Sequence, residues 1–158
     1  MIDLNEIEIL HVAIAHEERA RRFYERLARQ HDGTLAGDLF GSLAAEEEGH
    51  IRRITSRYGI EEFEKKWEEK FLPYLIDLDR LAWEEGLGTQ YTPGPEAVRR
   101  GLGIARKAES HAISFYARSR EAVEDRKTKT LLAELEEEER KHLAKIEGYL
   151  ADLPPATP

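Results

Sequence analysis

Apolar side chains recur every three to four positions through four long stretches of the chain, the spacing of the buried stripe of an amphipathic helix. The first helix is capped by Asp3 or Asn5 and runs to about His31, with Ile7, Leu10, Ala13, Ile14, Ala20, Phe23 and Leu27 on its stripe. Asp32-Gly33-Thr34 is a tight break that supplies a stop and a new N-cap. The second helix spans about Leu35 to Tyr58, ends at Gly59 and turns Leu39, Leu43, Ile51 and Ile54 inward. The third begins at Pro95, which suits a first turn, and reaches about Val123 with Val98, Leu102, Ala105, Ala112, Ile113 and Phe115 inside. Gly101 and Gly103 weaken its first turns. After the polar turn Glu124 to Lys127, a fourth runs from about Lys129 to Leu153, where Pro154 and Pro155 stop it. Its stripe is Leu131, Leu132, Leu135, Leu143, Ile146 and Leu150.

The short breaks make helices one and two, and three and four, antiparallel neighbours. The connection between the pairs is long, about residues 59–94. Phe63, Trp67, Phe71, Leu75, Leu78 and Leu81 predict one or two short amphipathic helices there, with Pro73 interrupting or starting one, before the Gly/Pro-rich loop Gly86 to Pro95. A helix of about 25 residues is about 37 Å long, and a crossover of this length can return along a bundle. The expectation is an all-α four-helix bundle forming one domain: hairpin 1 over about 3–58, crossover over about 59–94, hairpin 2 over about 95–153.

The stripes are interrupted by charge at matching places. Glu17 lies on the inner face of the first helix and Glu109 on that of the third. Glu47 and His50 sit mid-way along the second, Glu139 and His142 along the fourth. Residues three apart on a helix share a face, so each Glu-x-x-His pair points into the core. A shift of 92 residues carries Glu17 to Glu109, Ala20 to Ala112, Phe23 to Phe115, Tyr24 to Tyr116, Leu43 to Leu135, Glu47 to Glu139, His50 to His142 and Ile54 to Ile146, without a gap. The chain is two copies of one helical hairpin. Packed about a pseudo-two-fold axis, they bring four carboxylates and two imidazoles to the centre.

Composition narrows the chemistry. With 158 residues, 41% hydrophobic and 35% charged, the chain has the balance of a soluble globular protein. A net charge of −8 without a basic stripe argues against nucleic acid and anionic membranes as partners. The absence of cysteine excludes disulfides, thiolate zinc sites, thiolate-held iron–sulfur clusters and cysteine nucleophiles. Neither a signal peptide nor a membrane span is evident, so a cytoplasmic location is expected.

Buried charge is costly unless paired, and one pairing answers all six groups. Four carboxylates offset two divalent cations; without metal they repel, and some must take up protons. Ala13, Ala20, Ala105 and Ala112 leave room beside the lone glutamates. Oxygen and nitrogen donors without sulfur suit iron or manganese, and zinc is not excluded. Tyr24 and Tyr116 are placed to hydrogen-bond a ligand carboxylate, and Glu46 and Glu138 to receive the outer N–H of a ligand histidine. Glu48, Glu136 and Glu137 are read as solvated or supporting. His11, His16, His31 and His111 are read as surface or helix-end residues.

Ala-x-x-x-Glu-x-x-Ala-x-x-Phe-Tyr occurs at Ala13 to Tyr24 and at Ala105 to Tyr116, and Leu-x-x-x-Glu-x-x-His at Leu43 to His50 and Leu135 to His142. In these motifs the chain resembles the erythrin domain of rubrerythrins, within the ferritin-like superfamily. The resemblance covers the four helices but not the crossover. It implies a ferritin-like fold and a di-iron centre held by Glu17, Glu47, His50, Glu109, Glu139 and His142, with Tyr24 and Tyr116 tuning the metals or assisting proton transfer. It further implies an oxidoreductase that reduces hydrogen peroxide or dioxygen, or oxidises ferrous iron. The alternative is iron binding without turnover, for storage, delivery or sensing. Two departures stand out. The family's rubredoxin module needs cysteine, so an electron donor must come from outside, as a rubredoxin-like protein or a reductase. The family's further glutamate, three residues after the third-helix ligand, is replaced by Ala112. The chain is expected to form a homodimer.

Overall fold

The computed structural model describes residues 2–60, 69–88 and 92–155. Among them no strand occurs; the helices are α1 (Glu6–Gln30), α2 (Leu35–Tyr58), α3 (Leu78–Glu84), α4 (Pro95–Ala122) and α5 (Arg126–Asp152), and residues 69–71 are also helical. The fold is the ferritin-like bundle of two helical hairpins. Of the crossover, a 3₁₀ turn at Leu72–Tyr74 holds Pro73 and α3 follows it, with Phe71 and Leu78 buried. The expectation for Phe63 and Trp67 falls outside the described residues, as do parts of the Gly86 to Pro95 loop.

The helix boundaries have local causes. Asn5 caps α1: its side chain accepts from the Glu8 N–H while Glu8 accepts from the Asn5 N–H, the reciprocal capping box. Thr34 caps α2 through the Gly37 N–H. Gly59 closes α2 at φ 64°, a left-handed conformation that glycine adopts without a steric penalty. The fourth long helix starts earlier than the periodicity predicts, at Arg126, because Asp125 accepts from the Thr128 N–H. The polar turn is thereby shortened.

Within each hairpin the helices pack along their length, α1 on α2 and α4 on α5; the hairpins meet chiefly through α1 and α4, and α3 lies against both. The stripes read from the sequence are mostly buried, with Leu39, Ile51, Leu143 and Leu150 half-buried. Ile7 is 52% exposed, and Phe40, outside the expected face of α2, is fully buried.

The apolar interior is divided in two. One core gathers Phe23, Tyr24, Leu27, Phe40, Leu43, Leu102 and Ile146. The other gathers Leu10, Ile54, Phe71, Phe115, Tyr116, Leu131 and Leu135. The shift of 92 residues exchanges them: Phe23 for Phe115, Tyr24 for Tyr116, Leu43 for Leu135, Ile146 for Ile54. The pseudo-symmetry inferred from sequence is therefore a property of the packing, and each core supplies one tyrosine to the charged cluster.

Candidate metal centre

All six predicted donors converge. Glu17, Glu47 and Glu139 are completely buried, and Glu109, His50 and His142 nearly so. Their donor atoms fall into two sets, Glu17, Glu47, His50 and Glu139, and Glu47, Glu109, Glu139 and His142, with the atoms of each set within 4.8 Å of one another. Glu47 and Glu139 belong to both. Each hairpin thus gives one carboxylate to one set only and one carboxylate to both.

The cluster is not a hydrogen-bonded network that satisfies itself. Both oxygens of Glu47 and of Glu139, Oε2 of Glu109 and Nδ1 of His142 are buried without a hydrogen-bond partner. His142 Nδ1 lies 2.9 Å from Glu47 and 3.0 Å from Glu139, and His50 Nδ1 lies 3.2 Å from Glu139 and 3.3 Å from Glu17. Atoms so close yet mostly unpaired converge as ligands do, rather than meeting as donor and acceptor. Buried polar groups are otherwise almost always hydrogen-bonded, so the residues present fit divalent metal.

The supporting residues cross from one hairpin to the other. Tyr24 on α1 donates to Glu109 on α4 at 2.5 Å, and Tyr116 on α4 donates to Glu17 on α1 at 2.5 Å. His50 Nε2 meets Glu138 at 2.8 Å, and His142 Nε2 meets Glu46 at 2.5 Å. A carboxylate on the outer nitrogen fixes the tautomer, leaving Nδ1 to face inward. Arg53 holds Glu138 through two bonds of 3.0 Å, and Lys145 holds Glu46 at 3.3 Å. These two basic residues were not anticipated, although the repeat carries their signal: Arg53 shifted by 92 is Lys145.

Without metal the cluster redistributes protons. Burial, then the charges of Glu139 and Glu17, push Glu47 well above the ordinary carboxylate range. Burial, then Glu17 and Glu109, do the same to Glu139. Burial also opposes the charge on Glu17, but contacts with Glu47 and His50 outweigh it and hold Glu17 well below the usual value. Burial works against protonated imidazole at His50 and His142, yet Glu139 and Glu17 raise the first to about 10, and Glu109 and Glu139 the second to about 11. Both tyrosines are pushed well above 10, first by burial and then by the facing carboxylates, so their hydroxyls remain donors.

The expectation for His16 is corrected. It is 4% exposed, with its ring 6.1 Å from that of His111 and edge-on to Tyr116 at 6.5 Å. Burial lowers its pKa below the ordinary histidine value despite Glu17 and Glu109 nearby. A histidine at the edge of an apolar stripe reads as a surface residue until the neighbouring helix is known to cover it. His31 is a helix-end residue as expected, the C-cap of α1, but it too is buried. Glu136 is paired with Arg120 at 3.2 Å and Arg140 at 3.0 Å, away from the donor sets.

Comparison with known proteins agrees with this architecture. A search of the curated proteins finds no match. A solved structure titled Hypothetical Protein Pfu-1136390-001 from Pyrococcus furiosus superposes with a TM-score of 0.67 at 20% identity, covering 91% of this chain and 87% of that one. At that identity the likeness concerns the fold alone. The rubrerythrin family model matches residues 8–150, and with the buried cluster it points to a metal site. That span holds nearly all of both hairpins and every donor of the two sets, and the chain belongs to the rubrerythrin family.

Proposed function

We propose that the cluster holds two iron ions and that the protein is an oxidoreductase, reducing hydrogen peroxide or dioxygen or oxidising ferrous iron. The observation that carries this reading is the sharing of Glu47 and Glu139 between two otherwise separate donor sets. When bound, a pair of such ions supplies two electrons at one place, one from each metal. Glu17 with His50, and Glu109 with His142, would hold one ion each, with Glu47 and Glu139 between them. Mixed carboxylate and imidazole donors equally admit manganese, but the family and its chemistry favour iron.

The chain's own residues prepare the site. Tyr24 and Tyr116 fix one oxygen of each of Glu109 and Glu17, while the other oxygen of Glu17 faces His50 and that of Glu109 is buried without a hydrogen-bond partner. Being protonated, they can also pass a proton to a group bound beside Glu109 or Glu17. Glu46 and Glu138 hold the imidazoles in register. The two apolar cores above and below exclude water along the bundle axis. Since the chain has no cysteine, electrons come from a separate donor.

A second reading, iron binding without turnover, is favoured by one observation: Ala112, 1% exposed, stands where rubrerythrins carry a further glutamate. Purified protein loaded with Fe²⁺ and given peroxide with a reductant separates the two. Sustained consumption of peroxide at two metals per chain supports the oxidoreductase. A single stoichiometric oxidation followed by silence supports the binding protein. A chain that takes up no metal refutes both.

A further inference from the structure

The shift of 92 residues relates the two halves of the centre without making them equal. Glu17 with His50 forms one half and Glu109 with His142 the other, and Glu47 and Glu139 serve both. In the first half the donors already occupy each other. Tyr116 donates to Oε1 of Glu17, and His50 Nδ1 meets Oε2 at 3.3 Å, so both oxygens of this buried carboxylate are engaged. In the second half they are not. Tyr24 donates to Oε1 of Glu109, while Oε2 of Glu109 and Nδ1 of His142 are buried without a hydrogen-bond partner. His142 Nδ1 comes within 2.9 Å of Glu47 and 3.0 Å of Glu139 but is aligned with neither. Both oxygens of Glu47 and of Glu139 are unpaired as well. Every member of the set Glu47, Glu109, Glu139 and His142 therefore carries an unpaired buried atom, whereas Glu17 and His50 satisfy one another.

What stands behind each histidine differs too. The contacts at Nε2 are alike, 2.8 Å from His50 to Glu138 and 2.5 Å from His142 to Glu46. Arg53, however, donates to both oxygens of Glu138 at 3.0 Å each and lies 3.7 Å from Glu134. Lys145 reaches Glu46 at 3.3 Å. A guanidinium fixes a carboxylate in plane and direction, where an ammonium acts as a point charge on a flexible stem. The Arg53 and Glu138 side chains are 29% and 32% exposed, those of Lys145 and Glu46 48% and 42%. The His50 ring is thus held from behind in the orientation that meets Glu17, and His142 is held less firmly. His16 adds to the difference. It stands edge-on to Tyr116, the tyrosine on Glu17, and the related position on α4 is Ala108.

Resting on the proposed metal centre, we infer that the centre loads in order and that the first ion takes the set Glu47, Glu109, Glu139 and His142. An ion there relieves buried atoms that nothing else satisfies, and Tyr24 keeps its bond to Glu109. An ion in the other set must part His50 from Glu17. Giving up a hydrogen bond to a charged group weakens that step by about tenfold or more. The chain then has a one-ion state in which His50 and Glu17 keep the other half closed with their own bond. Chemistry that draws one electron from each of two metals begins only with the second ion. The Glu17–His50 bond thereby sets the metal supply at which the proposed oxidoreductase turns on.

The test titrates the metal-free full chain, carrying ¹⁵N-labelled histidine, with Zn²⁺. The Nδ1 resonances of His50 and His142, identified with His50→Ala and His142→Ala, report which imidazole is bound at each equivalent. Calorimetry with Fe²⁺ under anaerobic conditions gives the affinities. The expected result is that His142 Nδ1 shifts over the first equivalent and His50 Nδ1 over the second, with the second step about tenfold weaker or more. H50A should keep the first step and lose the second, and H142A should lose the first. Two like sites sharing Glu47 and Glu139 can also give two steps, so the identity of the first imidazole decides, rather than the shape of the isotherm. His50 shifting first, or both shifting in parallel, would overturn the order. A chain that takes up neither Zn²⁺ nor Fe²⁺ would instead refute the metal reading beneath it.

Discussion

Tyr116 reaches across the bundle to donate its hydroxyl to Glu17, 99 residues away in sequence. Tyr24 answers it from the other hairpin by donating to Glu109. Each tyrosine is fully buried, so replacing it with phenylalanine strips a partner from a buried carboxylate and returns no water. The expected cost in metal-free protein is about 1–3 kcal/mol for either single substitution, read from urea unfolding. Because the bonds tie opposite hairpins together, the double variant Y24F/Y116F should also lower metal affinity. An unchanged unfolding midpoint in both single variants would contradict the role given to these hydroxyls.

Stability of the metal-free protein should depend on pH in a defined sense. His50 and His142 are raised from 6.5 to about 10 and about 11, so the folded state holds protons that the unfolded chain releases. Their contribution is complete below about 6.5 and is lost as pH rises through about 10 and 11. Glu47 and Glu139 are raised as well and lose their contribution in the same direction, beginning above 4.5. Glu17 and Glu109 are lowered and act oppositely, their contribution falling away as pH drops below 4.5. Thermal melting with a chelator present should therefore show greatest stability between these limits, with a decline on the alkaline side. Divalent metal competes with the same protons, so its stabilisation should grow from pH 6 to pH 8. A melting temperature that rises with pH above about 6.5 in the metal-free protein would refute the assignment.

Much of this arrangement is legible in the sequence, because the residues that make the site also make the repeat. Glu47 and Glu139 each announce themselves by interrupting an apolar stripe at positions related by the same shift, and a buried carboxylate demands an explanation that a solvated one does not. Less legible is which residue meets which. Tyr24 lies seven residues after Glu17 and shares its face, yet it pairs with Glu109, since facing helices are closer at the bundle centre than two turns of one helix. His16 escapes for a related reason: its burial depends on the covering helix, α4, rather than on its own periodicity. The start of α5 at Arg126 shows that a cap as strong as Asp125 extends a helix beyond the apolar pattern.

The carboxylates behind the histidines should matter to metal affinity without being ligands. Glu138 holds His50 and is itself held by Arg53; Glu46 holds His142 and is held by Lys145. Removing such a partner typically lowers metal affinity by about 10–100-fold. Glu138→Ala and Glu46→Ala should show that loss in competition with a chelator, with helical content preserved. Replacing Glu47 and Glu139 together with alanine should abolish stoichiometric binding altogether. Retention of two tightly bound metals by that double variant would remove the ligand assignment.

Two glycines near the start of α4 give a test of the packing that supports the centre. At Gly103 an added Cβ meets nothing within 4 Å, so Gly103→Ala gains helix propensity and should stabilise the protein by about 0.5–1 kcal/mol. At Gly101, which is buried, the same Cβ lies 3.0 Å from Leu27 Cδ1 and 3.6 Å from Phe40 Cζ. That contact presses α4 away from α1 and α2, and overpacking costs about 1–3 kcal/mol. Leu27 can rotate to relieve part of it, so Gly101→Ala should be neutral to destabilising where Gly103→Ala is stabilising. Because α1 and α4 carry Glu17 and Glu109, G101A should also loosen metal binding while G103A leaves it intact. Equal gains in unfolding free energy for the two variants would show that the close approach of the hairpins at this point is not what the glycine serves.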